Sequence, residues 1–207
     1  MIIKISATNA LNPSAVVSLR CPGCRQQGTF ESLTNVNDAS YGNYVFGQRR
    51  CPNDQCHTHV FFVRQAGQLA VSYPAERLDF DSSGIPPAVA AALEEAVACH
   101  AGRCFTAAGI MVRKTLEELC HDRGANGATL KARIAALGAK ITVPQELLEG
   151  VDHLRLLGND AAHIESQTYT QVGQEEVEVA LLFAKELLKA VYQYSTLLAR
   201  LKALQKP

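Results

Sequence analysis

Apolar residues follow two different spacings along this chain. Up to about residue 80 they come in short runs rich in β-branched and aromatic side chains. These runs are Val16 to Leu19, Thr29 to Leu33, Tyr44 to Phe46, Val60 to Arg64 and Leu69 to Tyr73, separated by Gly, Asn, Asp and Pro. Such a pattern predicts short strands joined by turns. From Ala88 onward the spacing becomes three and four residues, the repeat of helices that bury one side. Val89, Leu93 and Val97 mark a first helix, and Phe105, Ala108, Val112, Leu116 and Leu119 a second. Asp122 to Ala128 reads as a loop, and Thr129 as the cap of a short helix carrying Leu130, Ile134 and Leu137. Pro144 opens the next helix, which is expected to run on through Leu154, Leu157, Ala161 and Ile164.

The final helix, about Glu175 to Leu204, is apolar on two sides. Val177, Leu181, Ala184, Leu188, Val191 and Leu198 make one stripe, and Leu187, Tyr194 and Leu201 another. Two apolar sides need two partners, so a homodimer is expected; a central helix wrapped by its own neighbours is the alternative.

The stretch 74–87, PAERLDFDSSGIPP, changes composition and is read as the connection. The resulting divisions are a β-rich unit at 1–80, a linker at 81–87 and a helical bundle at 88–207, an α+β chain with strands first. A β unit this small buries little apolar surface and needs a staple. Cys21-Pro-Gly-Cys24 and Cys51-Pro-Asn-Asp-Gln-Cys56 supply one. Two thiolates on each tight turn can close a tetrahedron around a structural Zn²⁺, which makes the β unit a zinc ribbon. His57 and His59 stand close enough in sequence to replace Cys56 as fourth ligand. Cys99, Cys104 and Cys120 lie in helical contexts without such turns, and read as buried apolar thiols.

Charge narrows the partners. Twenty basic residues balance twenty acidic ones, and a division near residue 85 leaves seven against six and thirteen against fourteen. Neither half is a polycation, so contact with nucleic acid has to be local. Arg49 and Arg50 beside the second cysteine pair, with Arg20 and Arg25 around the first, suggest either a small basic surface or a solvated edge, the latter favoured. The chain opens without a secretory pattern and carries no apolar run of membrane-spanning length. A cytoplasmic protein with no membrane association is expected.

Arg155, Asn159 and His163 interrupt an apolar stripe at successive four-residue steps. On a helix they form a slanting row rising about 12 Å. A cation, an amide and an imidazole can make a site, or a buried hydrogen-bond ladder. Arg113 and Glu117, four apart, read as an intrahelical ion pair, with a helix-positioning role for Arg113 as the alternative.

Four segments in order, LEEA (93–96), FTAAGIMVRKTLEEL (105–119), GATLKARIAAL (127–137) and LRLLGNDAAH (154–163), resemble a bacterial domain of unknown function in the HEPN-like group of helical bundles. The resemblance implies a restriction, anti-phage defence or mobile-element setting, and a preceding zinc ribbon is typical of such proteins. Active HEPN proteins carry an Arg-Asn-x-x-x-His motif with which dimers cut RNA without metal. Asn159 and His163 match it, but Gly158 stands at the arginine position and Arg155 lies three residues earlier. Two readings follow. The favoured one is a non-catalytic interaction module that binds nucleic acid or a protein partner of a defence system. The other is a metal-independent ribonuclease using His163 as acid/base, Asn159 to orient it and Arg155 on phosphate.

Overall fold

The computed structural model describes residues 3–163, 165, 168–169 and 171–204. Strands come first and helices after, an α+β chain in two compact units, Met1–Asp79 and Phe80–Pro207.

The first unit is a seven-stranded antiparallel sheet: β1 (Asn9–Leu11), β2 (Val17–Arg20), β3 (Gln27–Ser32), β4 (Asp38–Tyr41), β5 (Tyr44–Arg50), β6 (His59–Gln65) and β7 (Gln68–Tyr73). All five expected apolar runs are strands, extended or shifted by a few residues. β1 and β4 were not expected. Their residues are mostly poor strand formers, and pairing with each other and with β5 holds them extended. β5 organises the sheet, pairing with β4 and β3 on one side and β6 along the other.

Alternation along β5 sends Val45, Gly47 and Arg49 toward the core, followed by Cys51. The core holds Val17, Leu19, Cys21, Phe30, Cys51, Val60 and Phe62. Arg49 lies inside it, 1% exposed, which overturns both the basic-surface and the solvated-edge expectations for this residue. Its guanidinium donates two 2.7 Å hydrogen bonds to the Asp38 carboxylate, one to Gln48 O at 2.7 Å and one to Ala15 O at 2.9 Å. Its face lies 4.7 Å from the Phe62 ring centre. Gly47 makes the room: a Cβ there would overlap the Asp38 carboxylate and lie 3.0 Å from the Phe62 ring. Arg50, one residue on, points outward and pairs with Glu31 at 2.9 Å.

The second unit contains α1 (Pro87–Ala101), α2 (Phe105–Asp122), α3 (Leu130–Gly138), α4 (Gln145–Ala162), α5 (Gln174–Leu188), a π turn (Lys189–Gln193) and α6 (Tyr194–Ala203). The Thr129 hydroxyl caps α3, accepting from Ala132 N at 3.2 Å. α2 is central, packing on α1, α3, α4 and α5 through Ala108, Val112, Leu116 and Leu119, all buried. Part of the expected linker belongs to this unit. Phe80 and Ile85 are buried, and Gln193 Nε2 donates to Asp81 O and Ser83 O at 3.0 Å. Among the described residues no helix is long and apolar enough to cross a membrane.

Candidate metal centre and the polar cluster on α2 and α4

Cys21 and Cys24 sit on the turn leaving β2, and Cys51 and Cys56 on the turn between β5 and β6. The first turn closes through Arg25 N to Cys21 O at 2.9 Å, with Arg25 in the left-handed region, and Gly23 N–H points at Cys21 Sγ from 3.4 Å. The second closes through Cys56 N to Asn53 O at 2.9 Å, with His57 left-handed. These turns bring all four sulfurs within 4.8 Å of one another. Cys21 and Cys56 are 3.7 Å apart, and Cys24 and Cys51 3.8 Å. Sulfurs about 2.3 Å from a tetrahedral ion stand about 3.8 Å from each other, whereas a disulfide brings them to about 2.05 Å. The set is placed to hold one metal ion and is not paired as disulfides.

The surroundings pull two of the thiols in opposite directions. The Thr58 hydroxyl lies 3.0 Å from Cys56 Sγ, and its hydrogen bond draws that thiol down to about 6. Burial pushes Cys51 the other way, up to about 12, because a lone buried thiolate is costly. A cation among the four removes that penalty. Gly23 allows the turns to meet: a Cβ there would overlap Thr58 Oγ1 and lie 3.3 Å from Cys56 Sγ. The histidines are not in the ligand set. His59 instead faces Phe61 on β6, ring centres 5.6 Å apart. Among the described residues no other cluster of metal-binding groups occurs. Cys120 is buried as expected, Cys99 is half-buried, and Cys104 is exposed, against expectation.

The polar row on α4 takes a different form from a straight helical ladder. The helix ends at Ala162, and His163 is its cap, in extended backbone and exposed; Ile164 lies outside the described residues. Arg155 is engaged by Asp152, Nε to Oδ1 at 2.6 Å and Nη2 to Oδ2 at 3.2 Å. That partnership holds the Asp152 carboxyl below its usual range. The guanidinium that reaches Asn159 comes from another helix. Arg113 of α2 donates to Asn159 Oδ1, and its Nε to Glu117 Oε1 at 3.3 Å. Both sequence readings of Arg113 therefore apply, since it pairs within α2 and also packs on α4.

Gly158 explains how. A Cβ there would overlap Arg113 Cβ and lie 3.2 Å from Gly109 O, so α2 and α4 touch at backbone distance. Gly109 faces the same crossing, its missing Cβ 3.0 Å from the Ala161 methyl. Gly158→Ala is expected to lower stability by roughly 1–3 kcal/mol through overpacking, read as a fall of several degrees in the thermal transition of the helices. An unchanged transition would mean the helices do not cross this closely.

A small antiparallel β unit closed by four convergent thiols, followed by a helical bundle with a glycine-mediated crossing, defines the class. A sequence profile described as a domain of unknown function (DUF4145) matches residues 94–206, more than half the chain, and the chain belongs to that family. No curated protein and no solved structure matches it.

Proposed function

We propose that this protein is a zinc-stapled accessory factor that works by binding rather than by chemistry, in a nucleic-acid-linked bacterial defence or mobile-element setting. The setting follows from the HEPN-like resemblance. Zn²⁺ follows from four cysteine ligands, which leave no open coordination position for catalysis. One observation carries the non-catalytic reading: the three groups of the α4 row have separate surroundings. Arg155 is bound to Asp152, Asn159 to Arg113, and His163 stands beyond the helix end.

A specific observation favours a second reading. Arg113 lies over Gly158, the position of the motif arginine in active HEPN proteins, and reaches the adjacent Asn159. A cation from α2 would then replace the one missing from α4. In that reading Arg113 faces the phosphate and His163 takes the proton of the RNA 2′-hydroxyl. The 2′-oxygen attacks phosphorus and the P–O5′ bond breaks; the leaving 5′-oxygen takes a proton from water and His163 releases its own to solvent, giving a 2′,3′-cyclic phosphate and a 5′-hydroxyl.

Purified protein incubated with RNA in EDTA separates the two. The binding reading expects no cutting. Chelator-resistant cutting lost in both His163→Ala and Arg113→Ala, with both variants folded, would replace it with the ribonuclease. Elemental analysis is expected to find one Zn per chain, and a value well below that removes the zinc assignment.

A further inference from the structure

We propose that the outer edge of β7 accepts an extended segment of a partner protein as a further strand, one with an apolar side chain at every second position. This surface plays no part in the reading above and does not depend on any chemistry at α4.

The sheet protects its other edges and leaves this one open. β1 is three residues long and β2 four, and Glu76 Oε1 accepts from the outward Arg20 N of β2 at 3.2 Å. β7 pairs only with β6 and runs six residues, QLAVSY, without a charge or a proline. Among the described residues none hydrogen-bonds its far side. Natural sheets guard such edges, because a row of unpaired N–H and C=O groups is a template for another strand.

Pairing identifies the groups that face out. Ala66 N donates to Asn43 O, and Cys51 N to Thr58 O, one residue beyond each end of β6. Alternation between those two points turns the backbone of Val60, Phe62 and Arg64 toward β5. Phe61 and Val63 therefore bond β7, at Tyr73 and Val71. Ser72, and Leu69 beyond the bulge at Ala70, direct their N–H and C=O outward.

The side chains beside this edge are apolar. Phe61 and Tyr73 are a cross-strand pair, as are Val63 and Val71. With Phe46 they line a shallow concavity of about 410 Å³. Phe61 is 50% exposed, Val71 46% and Tyr73 74%. An added strand would set alternate side chains about 5 Å from Val71 and Tyr73 and extend that surface.

The open backbone selects the occupant. Bases could stack on the Phe61 and Tyr73 rings, but they would leave the Leu69 and Ser72 groups unmet. A second copy of β7 fits poorly. Two-fold pairing of the strand with itself would set one bulge against the other, where the chain twists most. A flexible segment can follow that twist.

Amide exchange on the full chain reads the edge directly. In free protein at about 100 µM, the Leu69 and Ser72 amides are expected to exchange freely while those of Val71 and Tyr73 are protected. Peptides are then selected on wild type from a random phage library and synthesised. A selected peptide is expected to alternate apolar residues, to bind at about 100 µM or tighter, and to protect the Leu69 and Ser72 amides. Ser72→Pro deletes an outward donor, and Val71→Lys puts a charge on the apolar surface. Each is expected to weaken peptide binding about fivefold or more. Protection of the Val60 and Phe62 amides checks that the sheet is intact; if Ser72→Pro loses it, Val71→Lys alone decides. Leu69 and Ser72 amides already protected in free protein overturn the proposal, whether a second copy or another segment covers them. So does a selection that yields no peptide of that affinity, or peptide binding that leaves these amides open or the variants unaffected. A uridine oligonucleotide that shifts the Phe61 and Tyr73 ring resonances when no peptide does assigns the surface to bases and overturns it too.

Discussion

Replacing Cys51 with serine is expected to yield a protein without its metal, in which residues 9–73 are unfolded and the helices persist. The core of the β unit has seven buried apolar residues, and two of them, Cys21 and Cys51, belong to the four-thiol set that could hold a metal ion. The remaining five side chains are too few to order a unit of this size. Ligation of an ion by the four thiols would close the gap, since a structural Zn²⁺ site is worth about 10–16 kcal/mol at neutral pH. Burial also raises the cost of any thiolate left without its cation. Amide exchange is the decisive measurement: protection across β5 and β6 is expected to vanish in Cys51→Ser, and in wild type treated with a strong chelator, while α1 and α2 stay protected. The helices buries their own residues in a separate unit and do not draw on the metal. Strands that stay protected in metal-free protein would show the sheet stands without its staple.

Asp38→Ala is expected to destabilise the same sheet by about 3–5 kcal/mol, the cost of stranding a buried partner of an ion pair. Both side chains are 1% exposed, and the Arg49 guanidinium would lose two of its hydrogen bonds while remaining out of water. The remaining bonds, to Ala15 O and Gln48 O, do not neutralise it. Combining Asp38→Ala with Arg49→Met is expected to recover much of the loss, because the charge leaves together with its partner. Urea midpoints followed on the strands, with metal saturating, measure both. Single and double variants of equal stability would mean that the pair is not isolated from solvent as described.

The four-thiol cluster was legible because its geometry is local. Each pair of cysteines lies on a turn of a few residues, and only the meeting of the turns is long-range. Gly23 and Thr58, which let the turns meet and hydrogen-bond Cys56, carry no spacing signal. Arg49 misled for the opposite reason. Adjacent arginines look like surface, yet strand alternation places Arg49 two residues before Cys51 and on the same side. That parity was readable in the sequence, but its buried partner, Asp38, is in a strand recognisable only from its pairing with β5.

Sequence by itself determined the order of the two units, most of the strands and helices, the Thr129 cap and the four thiols, because each depends on residues close together in the chain. Tertiary structure decided which charges are inside and which helix supplies a cation to Asn159. From the sequence, Gly158 is only a gap where the motif that the stretch resembles has arginine. In space it is the contact that lets α2 lie against α4 and bring Arg113 to Asn159. The distance between residues 113 and 158 is set by packing that no local pattern encodes, and so is the end of α4 that leaves His163 off the helical row.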